Sequence, residues 1–197
     1  MKREGRPSEL AVPRSVAVIM DGNGRWARQA GLERIKGHEK GTDAVRTTVT
    51  ECARLGVQAL TLYAFSEENW QRPPREVELL MKLLDRFLVQ ERPTLMDNRV
   101  RLVHAGRRER LRPRTLALLD ETIALTKDNA GMVLCLALSY GGRQELVDAV
   151  RALARDVAAG RLAADAVDEA AVTARLYQPA LPDPDLLIRT AGELRIS

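Results

Sequence analysis

The sequence predicts an α/β fold: a single domain in which a mostly parallel central sheet of about six strands is flanked by helices. Five short apolar runs occur along the 197 residues, and most are continuous rather than alternating, which is typical of strands covered on both faces. Helical patterns separate these runs, and such an alternation favours parallel strand pairing. A chain of this length also suffices for one substantial core.

The predicted elements follow one another in a regular order. Strands are predicted at residues 16–20, 57–65, 100–104, 132–138 and 186–188. Helices are predicted at residues 42–55, 76–96, 113–127 and 143–159. The stretch PALPDPD at residues 179–185 is predicted to be a loop because prolines recur in it. We expect residues 1–14 to be a flexible N-terminal segment and residues 15–197 to form the domain.

The helix at residues 76–96 has an apolar surface wider than a single core-facing stripe. Its apolar residues are Val77, Leu79, Leu80, Met81, Leu83, Leu84, Phe87 and Leu88. Two interpretations stay open: the helix is buried between the sheet and another helix or subunit, or it forms a wall of an elongated hydrophobic tunnel. The helix at residues 143–159 carries a narrower stripe, formed by Leu146, Val147, Val150, Leu153 and Val157.

Composition and charge disfavour several classes of protein. The net charge of +4, from 31 basic and 27 acidic residues, favours anionic partners in general. We expect no nucleic-acid partner, because there is no long basic block and only seven residues are aromatic. No apolar stretch approaches the ~20 residues of a membrane-spanning helix, and the first residues lack the apolar core of a secretory signal. We therefore expect a cytoplasmic protein, with Cys52 and Cys135 as reduced thiols.

The stretch SVAVIMDGNGRWARQ at residues 15–29 combines an acid, two glycines and an arginine after an apolar run. Asp21 falls at the carboxyl end of a predicted strand, where open α/β folds bind ligands. The glycines allow a sharp turn close to a ligand, and the amides there form an anion site with the following helix N-terminus. Arg25 and Arg34 add charge suited to phosphate oxygens. An acid in such a loop favours Mg²⁺ bound between one carboxylate and substrate phosphates; a tight β–α turn with a capping acid is the alternative.

Two further segments leave strands at the same predicted edge. AFSEENW at residues 64–70 carries Ser66, Glu68 and Asn69, and the following RPPR is typical of an exposed loop. LIRTAGELRIS at residues 187–197 places Arg189 and Arg195 near a glycine, as a second candidate phosphate clamp. Two anion sites beside an apolar cavity indicate two phosphorylated substrates, at least one of which has an apolar tail.

These motifs occur in the same order in a known family. The sequence resembles the cis-prenyltransferases, typified by bacterial undecaprenyl diphosphate synthase. The matching motifs are MDGNGRWA (20–27), GHEKG (37–41), AFSEENW (64–70) with Arg72, YGGR (140–143) and DLLIRTAGELRIS (185–197). Any one of them is weak evidence, but five in register over nearly the whole chain are strong.

The resemblance implies a reaction and a set of site residues. Isopentenyl diphosphate is condensed repeatedly, with cis stereochemistry, onto an allylic diphosphate such as farnesyl diphosphate. Asp21 is implied to bind the cofactor Mg²⁺ and to act in catalysis together with Asn69. The residues implied to bind the substrates are Gly22, Asn23, Gly24, Arg25, Trp26, Arg34, His38, Ser66, Glu67, Glu68, Trp70, Arg72, Arg189, Arg195, Ile196 and Ser197.

The resemblance also implies a product and partners. Undecaprenyl diphosphate, for synthesis of a cell-wall lipid carrier, is the default product, and a short-chain cis-prenyl diphosphate is the alternative. A homodimer is implied, with peripheral membrane contact for release of the product. A non-catalytic subunit of a heteromeric enzyme is disfavoured because the DGNGR site is retained. A phosphatase with an aspartyl nucleophile is disfavoured because Asn23 stands where that chemistry usually needs a second acid.

The sequence departs from the family pattern at several points. Glu67 replaces the usual Ser or Thr and puts a charge in the AFSEENW segment, Ser139 replaces an Asn, and Ala191 replaces a Ser or Gly. Family members continue beyond RIS with an apolar helix, a further glutamate implicated in Mg²⁺ binding and an arginine–glycine element that reaches the partner subunit. These are not in the 197 residues, so we expect the sequence to be incomplete.

Some polar residues outside these motifs have structural interpretations. Asp183 and Asp185 resemble a metal pair, but the neighbouring prolines favour an ordered loop. His104 ends a predicted strand and is expected to be structural. The arginines between Arg107 and Arg114 are expected to form a solvated face, with attraction to a membrane surface as the lesser alternative.

Overall fold

A computed structural model describes residues 11–195 and confirms the predicted α/β architecture. The strands are β1 (Ser15–Ile19), β2 (Ala59–Ser66), β3 (Arg101–Ala105), β4 (Val133–Tyr140) and β5 (Leu186–Arg189). They form one sheet in the order β3-β4-β2-β1-β5, and every adjacent pair is parallel. The part of the chain that the structure describes thus contains five strands rather than about six, each within two residues of its predicted bounds.

Helices connect the strands and flank the sheet. They are α1 (Asn23–Gln29), α2 (Arg34–Leu55), α3 (Pro74–Gln90), α4 (Arg92–Asp97), α5 (Pro113–Thr126), α6 (Gly142–Ala158) and α7 (Glu169–Thr173). No helix in the described residues combines the length and apolar character needed to cross a bilayer. α2 begins well before the predicted start at residue 42. The glycines of GHEKG lie inside this helix, where they pack against α1 as described below.

The predicted helix at residues 76–96 is interrupted at Glu91. Pro93 has no N–H to donate to the carbonyl of Val89, so α3 ends and α4 begins with Pro93 in its first turn. The side chain of Glu91 is buried, and it accepts hydrogen bonds from Arg46 on α2, with Nε at 3.0 Å and Nη2 at 2.5 Å, and from the Thr94 hydroxyl at 3.1 Å. This junction therefore ties α3 and α4 to α2.

The core lies along the middle strands, β2 and β4. Leu60, Leu62, Leu134 and Leu138 are fully buried there. From α3, the buried residues are Val77, Met81 and Leu88, and those packed at the edge of the core are Leu80, Leu84 and Phe87. This packing agrees with the first interpretation of the leucine-rich helix, while the elongated tunnel stays a prediction.

The apolar stripe of α6 is only partly buried. Ala149 and Leu153 face the protein, and Leu146, Val147 and Val150 remain 54%, 44% and 59% exposed. A helix on a protein surface can press only one stripe against it, and here that stripe is the one through Ala149. The other apolar face of α6 has no covering element among the described residues.

Several polar residues have the structural roles expected for them. The Asp185 carboxylate accepts from the backbone N–H groups of Arg14 at 2.7 Å and Ser15 at 2.9 Å, so it orders the loop before β5. The Nε2 of buried His104 lies 3.1 Å from the carbonyl oxygen of Leu138. Cys52 and Cys135 are free thiols, and burial raises the pKa of Cys135 to about 12.

The arginines after β3 lie on a partly to largely exposed face, as expected, and four of them also make ion pairs there. Their carboxylate partners lie on four different segments: Arg107 pairs with Asp148, Arg108 with Asp120, Arg110 with Glu67 and Arg114 with Asp85. The pairs link these arginines to α3, α5, α6 and the turn after β2.

Candidate active site

The predicted site segments all leave one edge of the sheet. β1 pairs with β2 on one side and with β5 on the other, and all three run in parallel. The residues that follow these strands therefore start at the same carboxyl edge, as predicted. This edge is where the structure brings Asp21, Arg25, Arg34, His38, Arg72 and Arg189 into one group.

Asp21 lies in a turn that Gly22 makes possible. Gly22 has φ of 93°, in the left-handed region that favours glycine, and its carbonyl accepts the Trp26 N–H at 2.8 Å as α1 begins. The N–H of Gly22 donates to Oδ1 of Asp21 at 2.6 Å. One of the amides predicted for the diphosphate is thus bonded to the carboxylate of Asp21.

Residues at the end of β5 hold Asp21 from the other side. Arg189 Nη2 donates to Oδ2 of Asp21 at 2.9 Å, and Arg25 Nη2 lies 3.3 Å from the same oxygen. Thr190 Oγ1 accepts from the Asp21 N–H at 2.8 Å and donates to its carbonyl oxygen at 2.5 Å. The hydrogen bond from Arg189 is the main cause that lowers the pKa of Asp21; partial burial opposes it, and the Gly22 N–H and the charge of Arg25 add to it. Asp21 is therefore ionised at neutral pH.

The glycines of GHEKG bring α2 close to this turn. A side chain at Gly37 would place its Cβ 2.7 Å from the carbonyl carbon of Asn23, and one at Gly41 would lie 2.9 Å from Asn23 Nδ2. Arg34, at the start of α2, lies along Gly24, where an added Cβ would be 2.9 Å from Nε. The missing side chains therefore let α2 approach α1, which carries Arg34 to the site.

His38 belongs to a charged group that joins α2 to the start of α3. Glu76 accepts from Arg72 Nη1 at 2.9 Å, and its other oxygen is 3.5 Å from Arg34 Nη1. Burial lowers the pKa of His38, the charges of Arg72 and Arg34 lower it further, and Glu76 opposes them. His38 is therefore neutral at pH 7, and its Nε2 is buried with no hydrogen-bond partner among residues 11–195.

The segment after β2 is an ordered 3₁₀ turn, Glu67–Gln71. Asn69 Oδ1 accepts from the Ser66 N–H at 3.2 Å, and the Ser66 side chain accepts from the Asn69 N–H, which makes a capping box. Trp70 packs edge-on against Phe65, with ring centroids 4.8 Å apart. The turn therefore has fixed contacts on both its backbone and its side chains.

The arrangement is suited to binding an anion beside one ionised carboxylate. The guanidinium Nε of Arg189 is buried without a hydrogen-bond partner in the described part of the chain. No group of three or more His, Cys, Asp or Glu side chains that could hold a metal occurs among those residues. Asp21 would supply one carboxylate ligand to a cation, and Mg²⁺ typically combines one or two carboxylates with waters and phosphate oxygens.

Comparisons with known proteins show which family the chain belongs to. A prenyltransferase family model, described as undecaprenyl diphosphate synthase, matches residues 19–197. The chain belongs to this family. The isoprenyl transferase of Geobacter sulfurreducens is 49% identical over 186 residues, which are 94% of this chain and 76% of that protein. The isoprenyl transferase of Shouchella clausii is 48% identical, over 94% of this chain and 72% of its own length.

Solved structures of prenyl diphosphate synthases share the fold. Lavandulyl diphosphate synthase from Lavandula x intermedia, in complex with dimethylallyl diphosphate, aligns with a TM-score of 0.91 and 33% identity, over 94% of this chain and 80% of that one. A probable undecaprenyl diphosphate synthase from Campylobacter jejuni aligns with a TM-score of 0.71 and 28% identity, over 95% and 79% of the two chains. The family predicted from the motifs is thereby confirmed.

The predicted substrate-binding residues of this prenyltransferase take different positions. Those at the Asp21 edge are Gly22, Asn23, Gly24, Arg25, Arg34, His38 and Arg189, with Arg72 joined through Glu76. Trp26 is about half exposed, and Glu68 is also exposed. Glu67 turns its carboxylate toward Arg110 and Ser139. Ile196 and Ser197 lie outside the described residues. The individual substrate-binding roles stay predictions.

Three residues of the site were missed by the sequence reasoning. Glu76 joins Arg34 to Arg72 through two ion pairs. Thr190 binds the backbone of Asp21 next to the end of β5. Glu193 pairs with Arg25 at 2.9 Å. Glu193 and Thr190 stand inside the quoted RTAGE motif, which is the signal that could have identified them. Nothing in the sequence distinguished Glu76 from the other acids at the start of a helix.

Proposed function

We propose that this chain is a Mg²⁺-dependent cis-prenyltransferase that condenses isopentenyl diphosphate successively onto an allylic diphosphate, with farnesyl diphosphate as primer and undecaprenyl diphosphate as product. The observation that carries the proposal is the ionised Asp21 between Arg25 and Arg189 at the carboxyl edge of the sheet, in a chain of the prenyltransferase family. The dimethylallyl diphosphate complex of the lavender enzyme supports diphosphate substrates.

The donor set at this edge fits Mg²⁺ shared with a diphosphate. Asp21 supplies one ionised carboxylate, and the described residues contain no group of three or more His, Cys, Asp or Glu side chains that could hold a metal. Bound there with the allylic diphosphate, Mg²⁺ would neutralise charge on the leaving group. The Asp21 carboxylate would hold the ion, and the Gly22 N–H and Arg189 orient that carboxylate.

The arginines supply fixed positive charge for the leaving group. In each condensation the allylic C–O bond breaks, a C–C bond forms to isopentenyl diphosphate, and one proton leaves the new chain. In this proposal Arg25 and Arg34 bind the departing diphosphate, and Arg189 binds the second diphosphate. Donors already directed at a developing anion lower the barrier because they need not reorganise during the reaction.

Asn69 has the contacts of a positioning group rather than of a base. Its amide oxygen already accepts the Ser66 N–H, and a neutral amide is a weak proton acceptor. We therefore assign removal of the proton to a diphosphate oxygen, with the Asn69 amide N–H₂ orienting the substrate. If Asn69→Ala retains near-normal turnover, Asn69 has no part in the mechanism.

The central experiment measures chain elongation by the purified protein. Farnesyl diphosphate, isopentenyl diphosphate and Mg²⁺, with and without detergent, should give a polyprenyl diphosphate whose length mass spectrometry determines. Asp21→Ala should lower turnover by at least about 10²-fold while the thermal midpoint stays close to that of the parent chain. Asp128→Ala, which removes an exposed carboxylate elsewhere, is the matched control. Absence of product under all conditions would reject the proposed activity, and release of phosphate from a simple phosphoester would favour a phosphatase.

We also propose that the enzyme is a homodimer that uses the exposed face of α6. Leu146, Val147 and Val150 form an apolar face that no described element covers, and a second copy of the chain would bury it. Val150→Lys should shift the species in sedimentation velocity from dimer to monomer. Val89→Lys, at a similarly exposed position on α3, should leave the dimer unchanged.

Release of a long hydrocarbon product requires an apolar acceptor, so we propose peripheral contact of this cytoplasmic enzyme with a membrane. Net charge of +4 favours anionic lipid surfaces. Flotation with vesicles containing phosphatidylglycerol, with and without isoprenoid substrates, tests this contact. Equal flotation with neutral and anionic vesicles would contradict the electrostatic part of the proposal.

A further inference from the structure

Glu67 has contacts that leave no carboxylate oxygen for a substrate. Oε2 accepts the Ser139 hydroxyl at 2.9 Å, and Oε1 accepts from the Arg110 guanidinium. The Glu67 side chain is only 12% exposed. A carboxylate also repels a diphosphate, so its location near the site calls for a role other than substrate binding.

Trp70 is held by the partners of Glu67. Its indole Nε1–H donates to Ser139 Oγ at 2.9 Å, and the Arg110 guanidinium carbon lies 5.0 Å from the centre of the ring, within range of a cation–π interaction. Phe65 contacts the ring edge-on. We call the four residues Glu67, Trp70, Arg110 and Ser139 the Trp70 clamp.

The backbone conformation and hydrogen bonds of Ser139 indicate that its contacts hold the clamp in one arrangement. It is fully buried, and its φ of 51° is unusual for a residue with a side chain. Such a conformation is strained and persists only where surrounding contacts enforce it. Its hydroxyl accepts from Trp70 and donates to Glu67, so each contact fixes the direction of the other.

The clamp grips both sides of Asn69 within the 3₁₀ turn. Glu67 and Trp70 flank the turn residues 68–69, and they anchor it to β4 through Ser139 and to the segment after β3 through Arg110. Beyond Trp70 the chain continues to Arg72, whose guanidinium joins the charged group at His38. The positions of Asn69 and Arg72 therefore depend on how the 3₁₀ turn is anchored.

We propose that Glu67 is a positioning residue for the condensation reaction: through the Trp70 clamp it sets Asn69 and Arg72 for turnover. This rests on the proposed prenyltransferase activity. Glu67 and Ser139 are also two of the positions at which this sequence departs from the family motifs, and the structure pairs them with each other. The clamp is thus a feature of this chain's own residues.

Steady-state kinetics of Glu67→Ala, Glu67→Gln and Ser139→Ala test the proposal. Glu67→Ala should lower kcat about tenfold, with KM for each substrate within about twofold, because the clamp orients groups rather than binding substrate. Glu67→Gln keeps an oxygen for the Ser139 hydroxyl and should recover part of kcat. Glu67→Ala with Ser139→Ala should lower kcat by less than the product of the two single effects, since both act through one contact. Glu109→Gln, which removes an exposed acid beside Arg110, should be unchanged.

The fluorescence of Trp70 provides a readout of the clamp itself. The chain has two tryptophans, so Trp26→Phe leaves Trp70 as the only emitter. In that background, Glu67→Ala and Ser139→Ala should shift emission to longer wavelength and increase quenching by acrylamide. Glu109→Gln should do neither.

The outcomes separate this proposal from the proposed function. If the parent chain elongates prenyl diphosphates and Glu67→Ala and Ser139→Ala match its kcat, the positioning role is overturned and the activity stands. If turnover of Glu67→Ala and Ser139→Ala falls but Trp70 emission is unchanged, the proposal that Glu67 acts through the Trp70 clamp is overturned. If the parent chain forms no product, both proposals fail. Should Glu67→Ala not fold, Glu67→Gln and Ser139→Ala carry the same comparisons.

Discussion

Replacing Gly37 by alanine should impair the active site more than it impairs the fold. Gly37 is buried inside α2, against the first residue of α1. Its new Cβ would lie 2.7 Å from the carbonyl carbon of Asn23 and 3.0 Å from the Cβ of Ala27, and the Asn23 carbonyl oxygen lies closer still. Ordinary contact begins at 3.4 Å, and the Asn23 carbonyl oxygen is the nearest atom, so α2 must move from the Asp21 turn by more than about 1 Å.

The effects on stability and on activity have different sizes. Alanine favours a helix interior over glycine by roughly 0.5–1 kcal/mol, whereas overpacking costs roughly 1–3 kcal/mol, so the net loss of unfolding free energy should be about 1 kcal/mol. A displacement near 1 Å at a reacting centre can cost about 10²-fold in rate. We therefore expect kcat/KM to fall 10- to 100-fold, equivalent to about 1.4–2.7 kcal/mol of transition-state stabilisation.

Prenyl-transfer kinetics and urea unfolding on the same preparations measure both effects. Gly142→Ala is the matched control, because Gly142 begins α6 in an ordinary helical conformation and a Cβ there meets nothing within 4 Å. That variant should retain its activity and gain slightly in stability. A Gly37→Ala enzyme with parental kcat/KM would refute the inference that the spacing of α1 and α2 sets the site.

Three further predictions follow from the charges and hydrogen bonds. Arg189→Met removes the hydrogen bond that is the main cause of the lowered pKa of Asp21, so this pKa should rise. The lowered pKa stabilises the fold at pH values above the ordinary carboxyl range, and this contribution disappears as pH falls through the pKa of the folded state. Carbon-detected NMR titration of Asp21 and acid unfolding should therefore both change. Glu76→Gln should lower the pKa of His38 further, because the Glu76 carboxylate is the charge that raises it. A histidine with a lowered pKa destabilises the fold as pH falls below its unfolded pKa of about 6.5. An unshifted NMR titration of the His38 ring would contradict the interaction with Glu76. Asp185→Ala should reduce the unfolding free energy by about 1–2 kcal/mol in urea with kcat unchanged, because two backbone N–H groups lose a charged acceptor far from the Asp21 edge.

The strands could be predicted because parallel strands in a covered sheet are continuous apolar runs. The interruption at Glu91 could also have been predicted, since the sequence shows Pro93 and a proline cannot continue a helix. The exposure of Leu146 and Val150 could not, because an apolar stripe has the same periodicity whether it meets its own sheet or another chain.

The Asp21 edge could be predicted from topology, since residues after adjacent parallel strands emerge together. The pairing of Glu67 with Ser139 could not, because it joins residues 72 positions apart whose types have no special affinity. The long start of α2 was missed because glycines disfavour helices, and only the contact with Asn23 explains why they are there.

The site keeps its positive charge in place with acidic partners. Arg189 and Arg25 share Asp21, Arg25 also pairs with Glu193, and Arg34 and Arg72 share Glu76. Without these acids the guanidinium groups would repel one another and spread into solvent.

Because a carboxylate and an anionic ligand compete for the same donors, each of these acids would limit how readily its arginine binds such a ligand. The Arg25 and Arg34 side chains are about half exposed, so their ion pairs are weak enough to exchange. Arg189 is only 11% exposed, and it keeps a buried Nε beside its bond to Asp21. Its bond to Asp21 is therefore less open to exchange with solvent than the ion pairs of Arg25 and Arg34, and it holds the Asp21 carboxylate in a fixed orientation.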